Sequence, residues 1–448
     1  MKKFVLLFTA FSAFIAISCN KETVSNETNL PPVDGMKIVT ISASVAKAPT
    51  KTSYTGEGTF SWTAGDVISV ACNDGNFYNF TATKAGATTK FQGYIPDGSE
   101  IGTRAYFPAD PNHAANIFSV TKEKDLRSHP SADLPMVGTG AKVGDDYKFS
   151  FSHCSGAALL TIDNIPSGIE YVEITVKNAG LNLSGLFTLY RVGETDNYNW
   201  DPKAADGEHE FFIRKVNVSG NSAQIYLPYS SYPERSMYKE STVNVTGYDS
   251  NDVPTQLFTD KSMKALGTFN RAEVKPLTHL IYSNLANINW SDSGVYTSDL
   301  DMSNEKKCLT QLKVSVDAYY LYARVTAPVS GFSGDFLDIF LSDGSGSHYA
   351  LSDDNHYWTT GGETVYREEH KGAATTSSLS MTFNGKSIET NTTNDGTNVN
   401  YYMAFPRSDH SLLSSAGTVY VSFMLWKGWN CAGCIPTRFT SMMSVTLP

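Results

Sequence analysis

The sequence is short of several things, and each shortage removes a class of function. Basic residues are outnumbered: 35 Lys and Arg stand against 45 Asp and Glu, for a net charge of −10. A nucleic-acid partner needs a basic face, so this composition argues against one. Long apolar runs are also scarce. One such run opens the chain, from Phe4 to Ile17, and it falls short of the roughly 20 residues a spanning helix requires. Cysteine is sparse, with six in 448 residues, too few for a disulfide-dependent scaffold. Helical periodicity is rare. No GxSxG, HExxH, P-loop or dinucleotide fingerprint occurs, so no nucleophile, metal or cofactor site announces itself. The expectation is a protein that is not an enzyme, with no catalytic residues, no cofactor and no metal.

What is present begins at the N-terminus. Lys2 and Lys3 precede the apolar run, and Ala16-Ile17-Ser18 leads into Cys19. A basic start, a short apolar middle and a small-residue end make a signal peptide. The end of this one resembles the lipobox of bacterial lipoproteins. That resemblance implies removal of residues 1–18 and acylation of Cys19 as the first mature residue. Residues 19–35, polar and carrying Pro31 and Pro32, then read as a tether. Asn20-Lys21-Glu22 weakly resembles the acidic export tag of some Bacteroidota lipoproteins. The expected address is the outer membrane, by lipid anchor alone, with display on the cell surface. Beyond Cys19, the five remaining cysteines are an odd number and cannot all pair within one chain.

Period-two alternation dominates the body. DYKFSFSH (146–153) sets Tyr147, Phe149 and Phe151 against Lys148 and Ser150, and TVYVSFMLW (418–426) lines up Val419, Val421, Phe423 and Leu425. TQLKVSV and STVNVTGY repeat the pattern. Such segments are half-buried antiparallel strands. NDG at 73–75, PDG at 96–98, SDG at 342–344 and FNG at 383–385 supply turns between them. Aromatic residues at 12% suit pleated surfaces. Short strands with frequent turns predict an all-β chain of sandwiches. At roughly 150 residues per domain, three are expected: 36–154, 155–282 and 288–448. SNLANINWSDSG (283–294) reads as the linker into the third. The Thr-, Ser- and Asn-rich stretch 373–398 reads as loops around a short strand, the kind of segment that often carries contacts.

Ordered motifs carry a family resemblance across residues 36–280. FSWTAGDVISV (60–70) places Trp62 ahead of Gly65-Asp66 and a strand. KFQGYIP (90–96), AYFPAD (105–110), LPMVGTG (134–140), FSFSHCSGAALLTIDNI (149–165) and NLSGLF (182–187) follow in order. In this series the chain resembles the fimbrillin-like (Mfa-like) surface proteins of Bacteroidota. The resemblance implies two consecutive transthyretin-like β-sandwiches and a fimbria-associated or stand-alone adhesin, with a fimbrial or other surface protein as partner. Stalk subunits of that family are matured by an arginine-specific cut near the N-terminus. Here the first arginine is Arg104, inside the first domain, so a tip or accessory type fits better than a stalk subunit.

The third domain is where ligand chemistry is expected. Tyr320-Leu321-Tyr322 followed by Asp338-Ile339-Phe340 loosely resembles carbohydrate-binding modules of the family 9 or DOMON-like sandwich type. That makes a surface glycan the alternative partner, within a carbohydrate-uptake system. A sugar site needs flat aromatic faces beside carboxylates and amides. Tyr357 and Trp358 with Asp353, Asp354 and Asn355, and Trp429 in LWKGWN, meet that need. Trp426 follows an alternating strand and is expected to be core. Asp343, Asp353 and Asp354 match no recognised calcium spacing. Cys431-Ala432-Gly433-Cys434 lacks the strand-then-helix setting of a redox CxxC and the second ligand pair of a zinc site. It is read as a disulfide closing a loop tip.

Overall fold

Alternating burial is visible strand by strand in the computed structural model. It describes residues 30–45, 61–109, 117–127, 135–154, 156–178, 180–191, 198–209, 211–229, 238, 240–263, 274–299, 308–330, 332–344, 365–367, 373–428, 430–436 and 442–448. The chain is all-β, as its alternation predicts, with one α-helical turn among the described residues, at Ser411–Ser414. No helix among the described residues is long and apolar enough to cross a membrane. Two compact units are present. One runs to Phe118 and resumes over Pro135–Cys154, while the other comprises Ser119–Leu134 and Ser155–Pro448.

In the first unit seven strands close a continuous hydrogen-bonded circuit. Its order is Met36–Val45, Thr88–Pro96, Phe77–Ala82, Val67–Cys72, Ile101–Phe107, Met136–Val143 and Asp146–His153. The last strand returns to the first in parallel, from Ile41 opposite Tyr147 to Val45 opposite Phe151. Closure removes both sheet edges. Inside, Trp62 meets Phe91, Phe107 and Phe151 edge-on, with centroids 5.0, 5.4 and 5.1 Å away. This is the arrangement that the ring quadrupoles favour. The turn after Trp62 is set by its own residues: Asp66 accepts the Thr63 N–H at 2.7 Å, and Gly65 takes a φ of +92°. At Gly138 a Cβ would stand 2.7 Å from the Phe151 ring, so only glycine lets this strand lie against the core aromatic.

Among the described residues, the second unit contains several sandwich-like sheets. Gly156–Asp163 lies between Ala223–Tyr229 and, in parallel, Val274–Ile281. A five-stranded sheet of Pro254–Ser262, Ser241–Tyr248, Tyr171–Asn178, Phe211–Asn217 and Glu123–Asp125 accompanies it. Glu123–Asp125 is reached before the chain returns to Met136–Val143, so this sheet borrows its edge from sequence that precedes the last two strands of the first unit.

Further along, one sheet runs Tyr296–Asp299, Gln311–Val316, Tyr320–Pro328, Asn398–Pro406, Glu389–Asn394. The facing sheet centres on Phe336–Ser342 and Gly417–Lys427. Leu321, Ala323 and Val325 from the first meet Leu337, Ile339, Leu341, Val421 and Phe423 from the second in one core. Each such Leu, Ile, Val or Phe side chain contributes about 1.5–3 kcal/mol on burial.

The segment 283–294 is not a bare linker. It forms a 3-10 turn at Leu285–Asn287 and is tied on both sides. Asn164, at a φ of +60°, donates to the Tyr282 carbonyl and to Asp317 Oδ2, both at 2.8 Å. The Tyr322 hydroxyl donates to Asp317 Oδ2 at 2.7 Å and accepts the Asn284 N–H at 3.0 Å. Asp317 Oδ1 accepts the N–H groups of Tyr319 and Tyr320, both at 2.8 Å. Burial first, and the Asp317 carboxylate next, raise the Tyr322 phenol pKa well above its usual value. The hydroxyl therefore stays protonated and remains a donor.

Candidate ligand cleft

Cross-strand register builds a polar and aromatic face on the outside of the five-stranded sheet. Inward positions of Tyr320–Pro328 are apolar, so Tyr322, Arg324 and Thr326 point outward. Asn391, Tyr402, Arg324, Lys313 and Thr297 then stand side by side across the five strands. A parallel row holds Thr393, Asn400, Thr326, Gln311 and Asp299. That row is stitched by Thr326 Oγ1 to Asn400 Oδ1 at 2.7 Å and Gln311 Nε2 to Asp299 Oδ1 at 2.7 Å. Neighbouring side chains at such spacing support one another.

Trp290, from the 283–294 segment, lies over this face. Its ring centroid is 5.9 Å from that of Tyr402, tilted by 53°. The Arg324 guanidinium sits 6.0 Å from the indole ring, within cation–π range. Lys313 Nζ donates to the Trp290 carbonyl at 2.7 Å. Arg324 in turn donates from Nη2 to Gln311 Oε1. The indole is thus held by two neighbours, and its backbone by a third, while the residue remains only half-buried.

Beside it opens a cleft of about 430 Å³, within the roughly 300–1,000 Å³ of small-molecule sites. Leu285, Ile288 and Trp290 form one side; Glu389, Asn391, Thr393 and Tyr402 form the other. Glu389, Asn391 and Thr393 alternate along one strand and are exposed. Glu389 is the only carboxylate among the described lining residues.

The residues expected from sequence to bind a ligand, namely Tyr357, Trp358, Asp353, Asp354, Asn355 and Trp429, lie outside the described residues, as does Cys19. Trp426 is core, 2% exposed. The reading of Cys431 and Cys434 as a loop-tip disulfide is corrected: no bond joins the two, and both are buried on the strand Asn430–Ile435. Three steps along an extended strand span about 10 Å, beyond the roughly 7 Å that a disulfide tolerates. Cys431 pairs with Trp426 and Gly433 with Leu425, leaving Ala432 as a bulge. The extra residue shifts the alternation, so both sulfurs enter one apolar cluster with Phe340, Met424, Trp426 and Met442. No cluster of metal-ligating side chains occurs among the described residues.

Sequence reasoning missed Trp290 because it sits in a segment that reads as linker. It missed Glu389, Asn391 and Thr393 because ETNTTN reads as loop. The signal that was there is their period-two spacing, which puts all three on one side of a strand.

No protein-family profile and no curated protein matches the chain. Among solved structures, a Bacteroides ovatus protein put forward as a cell adhesion protein shares 14% identity over 55% of this chain and 93% of its own, with a TM-score of 0.30. A Bacteroides thetaiotaomicron protein described in the same way shares 14% over 55% and 92%, at 0.24. A Bacteroides ovatus fimbrial protein shares 12% over 59% of this chain and 52% of its own, at 0.24. At these scores the likeness fixes neither the fold nor the function.

Proposed function

We propose that this chain is a cell-surface adhesin of the fimbrillin-like kind, of tip or accessory rather than stalk type. In this reading lipid on Cys19 anchors it to the outer membrane, and the second unit carries the contact surface. The observation that supports a binding role is the Trp290 cleft: a braced, half-exposed indole beside exposed polar side chains. Hydrolysis of a glycoside uses two carboxyl groups flanking the scissile bond, whereas the described lining offers Glu389 alone. The same cleft supports a second reading, glycan capture within a carbohydrate-uptake system.

The test is expression of the full chain in a Bacteroidota host. Labelling with an alkyne-tagged fatty acid should mark the protein and be lost in Cys19→Ala. Protease added to intact cells should remove it. Cells carrying it should adhere to a surface that Trp290→Ala cells do not hold. Unlabelled protein, or protein shielded from protease, would sink the surface reading. A growth defect on a polysaccharide in the deletion strain, without loss of adherence, would favour capture.

A further inference from the structure

We infer that the Trp290 cleft is a binding site for a neutral saccharide, an inference that rests on the binding role proposed above. A pyranose presents an apolar C–H face and a rim of hydroxyls. It is recognised by a flat aromatic surface with hydrogen-bonding groups at its edge. Trp290 supplies the surface. Its contacts with Tyr402 and Arg324, and the Lys313 bond to its carbonyl, fix it before a ligand arrives, which lowers the ordering cost of binding.

The rim is supplied from a single strand. Glu389 is a strong acceptor for hydroxyl donors, Asn391 both donates and accepts, and Thr393 adds a hydroxyl. Thr393 Oγ1 lies 3.4 Å from the Tyr402 hydroxyl, so the polar groups converge beside the rings.

The charge pattern selects among sugars. Glu389 is the only charged residue in the described lining. The two cations that flank Trp290 lie outside that lining: Lys313 donates to the Trp290 carbonyl, and Arg324 donates to Gln311 and sits by the indole. A sialylated, uronic or sulfated glycan would meet the Glu389 carboxylate in the lining itself, whereas neither Lys313 nor Arg324 is a lining residue.

The experiment uses the full chain without residues 1–18 on an array of gluco-, manno-, galacto- and xylo-configured oligosaccharides, with sialylated and sulfated glycans printed beside them. The strongest neutral binder is then titrated by calorimetry. The expected result is binding to at least one neutral series and none to the acidic glycans. Trp290→Ala should weaken it about tenfold or more, and Trp290→Phe should retain most of it. Glu389→Gln and Asn391→Ala alter exposed side chains and should each weaken it by about threefold or more with an unchanged melting temperature. The inference is overturned if no neutral saccharide binds, if acidic glycans are preferred, or if all four variants bind as the wild type does. Saccharide failure together with Trp290-dependent adherence of whole cells would overturn the ligand class alone and leave the adhesin reading standing.

Discussion

Single residues show how far burial alone sets chemistry. Cys72 lies at the end of Val67–Cys72 with its side chain in the first core. Burial foremost, then the nearby Asp74 carboxylate, push its thiol up to about 11. The thiolate is the reactive form, so this rise from the ordinary 9.0 cuts its population about a hundredfold at pH 8. Iodoacetamide at pH 8, followed by peptide mass spectrometry, should leave Cys72 unmodified in folded protein and label it fully in denaturant. Rapid labelling of folded protein would contradict the burial. Trp62 makes the complementary case. Its neighbours are legible as aromatic positions of alternating strands, but its edge-on packing against three of them depends on strands far apart in sequence.

At the scale of elements, register decides what periodicity leaves open. The CxxC shows it best. Four residues of sequence invite a local disulfide, yet pairing with Gly417–Lys427 draws them into an extended, bulged strand. Reductant should therefore leave the melting temperature unchanged, and thiol counting in denaturant without reductant should find both Cys431 and Cys434. The joint at Asn164, Asp317 and Tyr322 is equally non-local. Tyr322→Phe removes the donor to Asp317 and the acceptor for Asn284, and should cost about 1–3 kcal/mol in urea unfolding. The joint also has a pH signature. Tyr322 is raised above the ordinary phenol value, and burial raises Tyr320 to about 12. Raised folded values mean stability that is complete below about pH 10, where the unfolded phenol titrates, and is lost as pH climbs toward the folded values. Melting temperatures from pH 8 to 12 should fall above pH 10, with a shallower fall in Tyr322→Phe.

For the molecule as a whole, the division into two units has a calorimetric consequence. Separate cores unfold as separate cooperative blocks when neither depends on the other. Trp62→Ala removes the centre of the first core and should cost about 3–5 kcal/mol, and it should lower one transition only. Tyr322→Phe should lower the other. A single transition shifted equally by both variants would show that the units unfold together.

Alternation, turn residues and the scarcity of helical periodicity determined, without any structure, that the chain is all-β. They also determined that Val419, Val421, Phe423 and Leu425 share one inward face, because a period of two and an apolar face are local properties. The tertiary structure alone decided that residues 119–134 join the second unit, that the 283–294 segment is pinned, and that Cys431 and Cys434 share a face. It also brought Trp290 against Tyr402 and Glu389. Each of these rests on which segments meet and in what register, and the partners lie as much as 153 residues apart. Only the folded sheet brings an indole read as linker beside a strand read as loop.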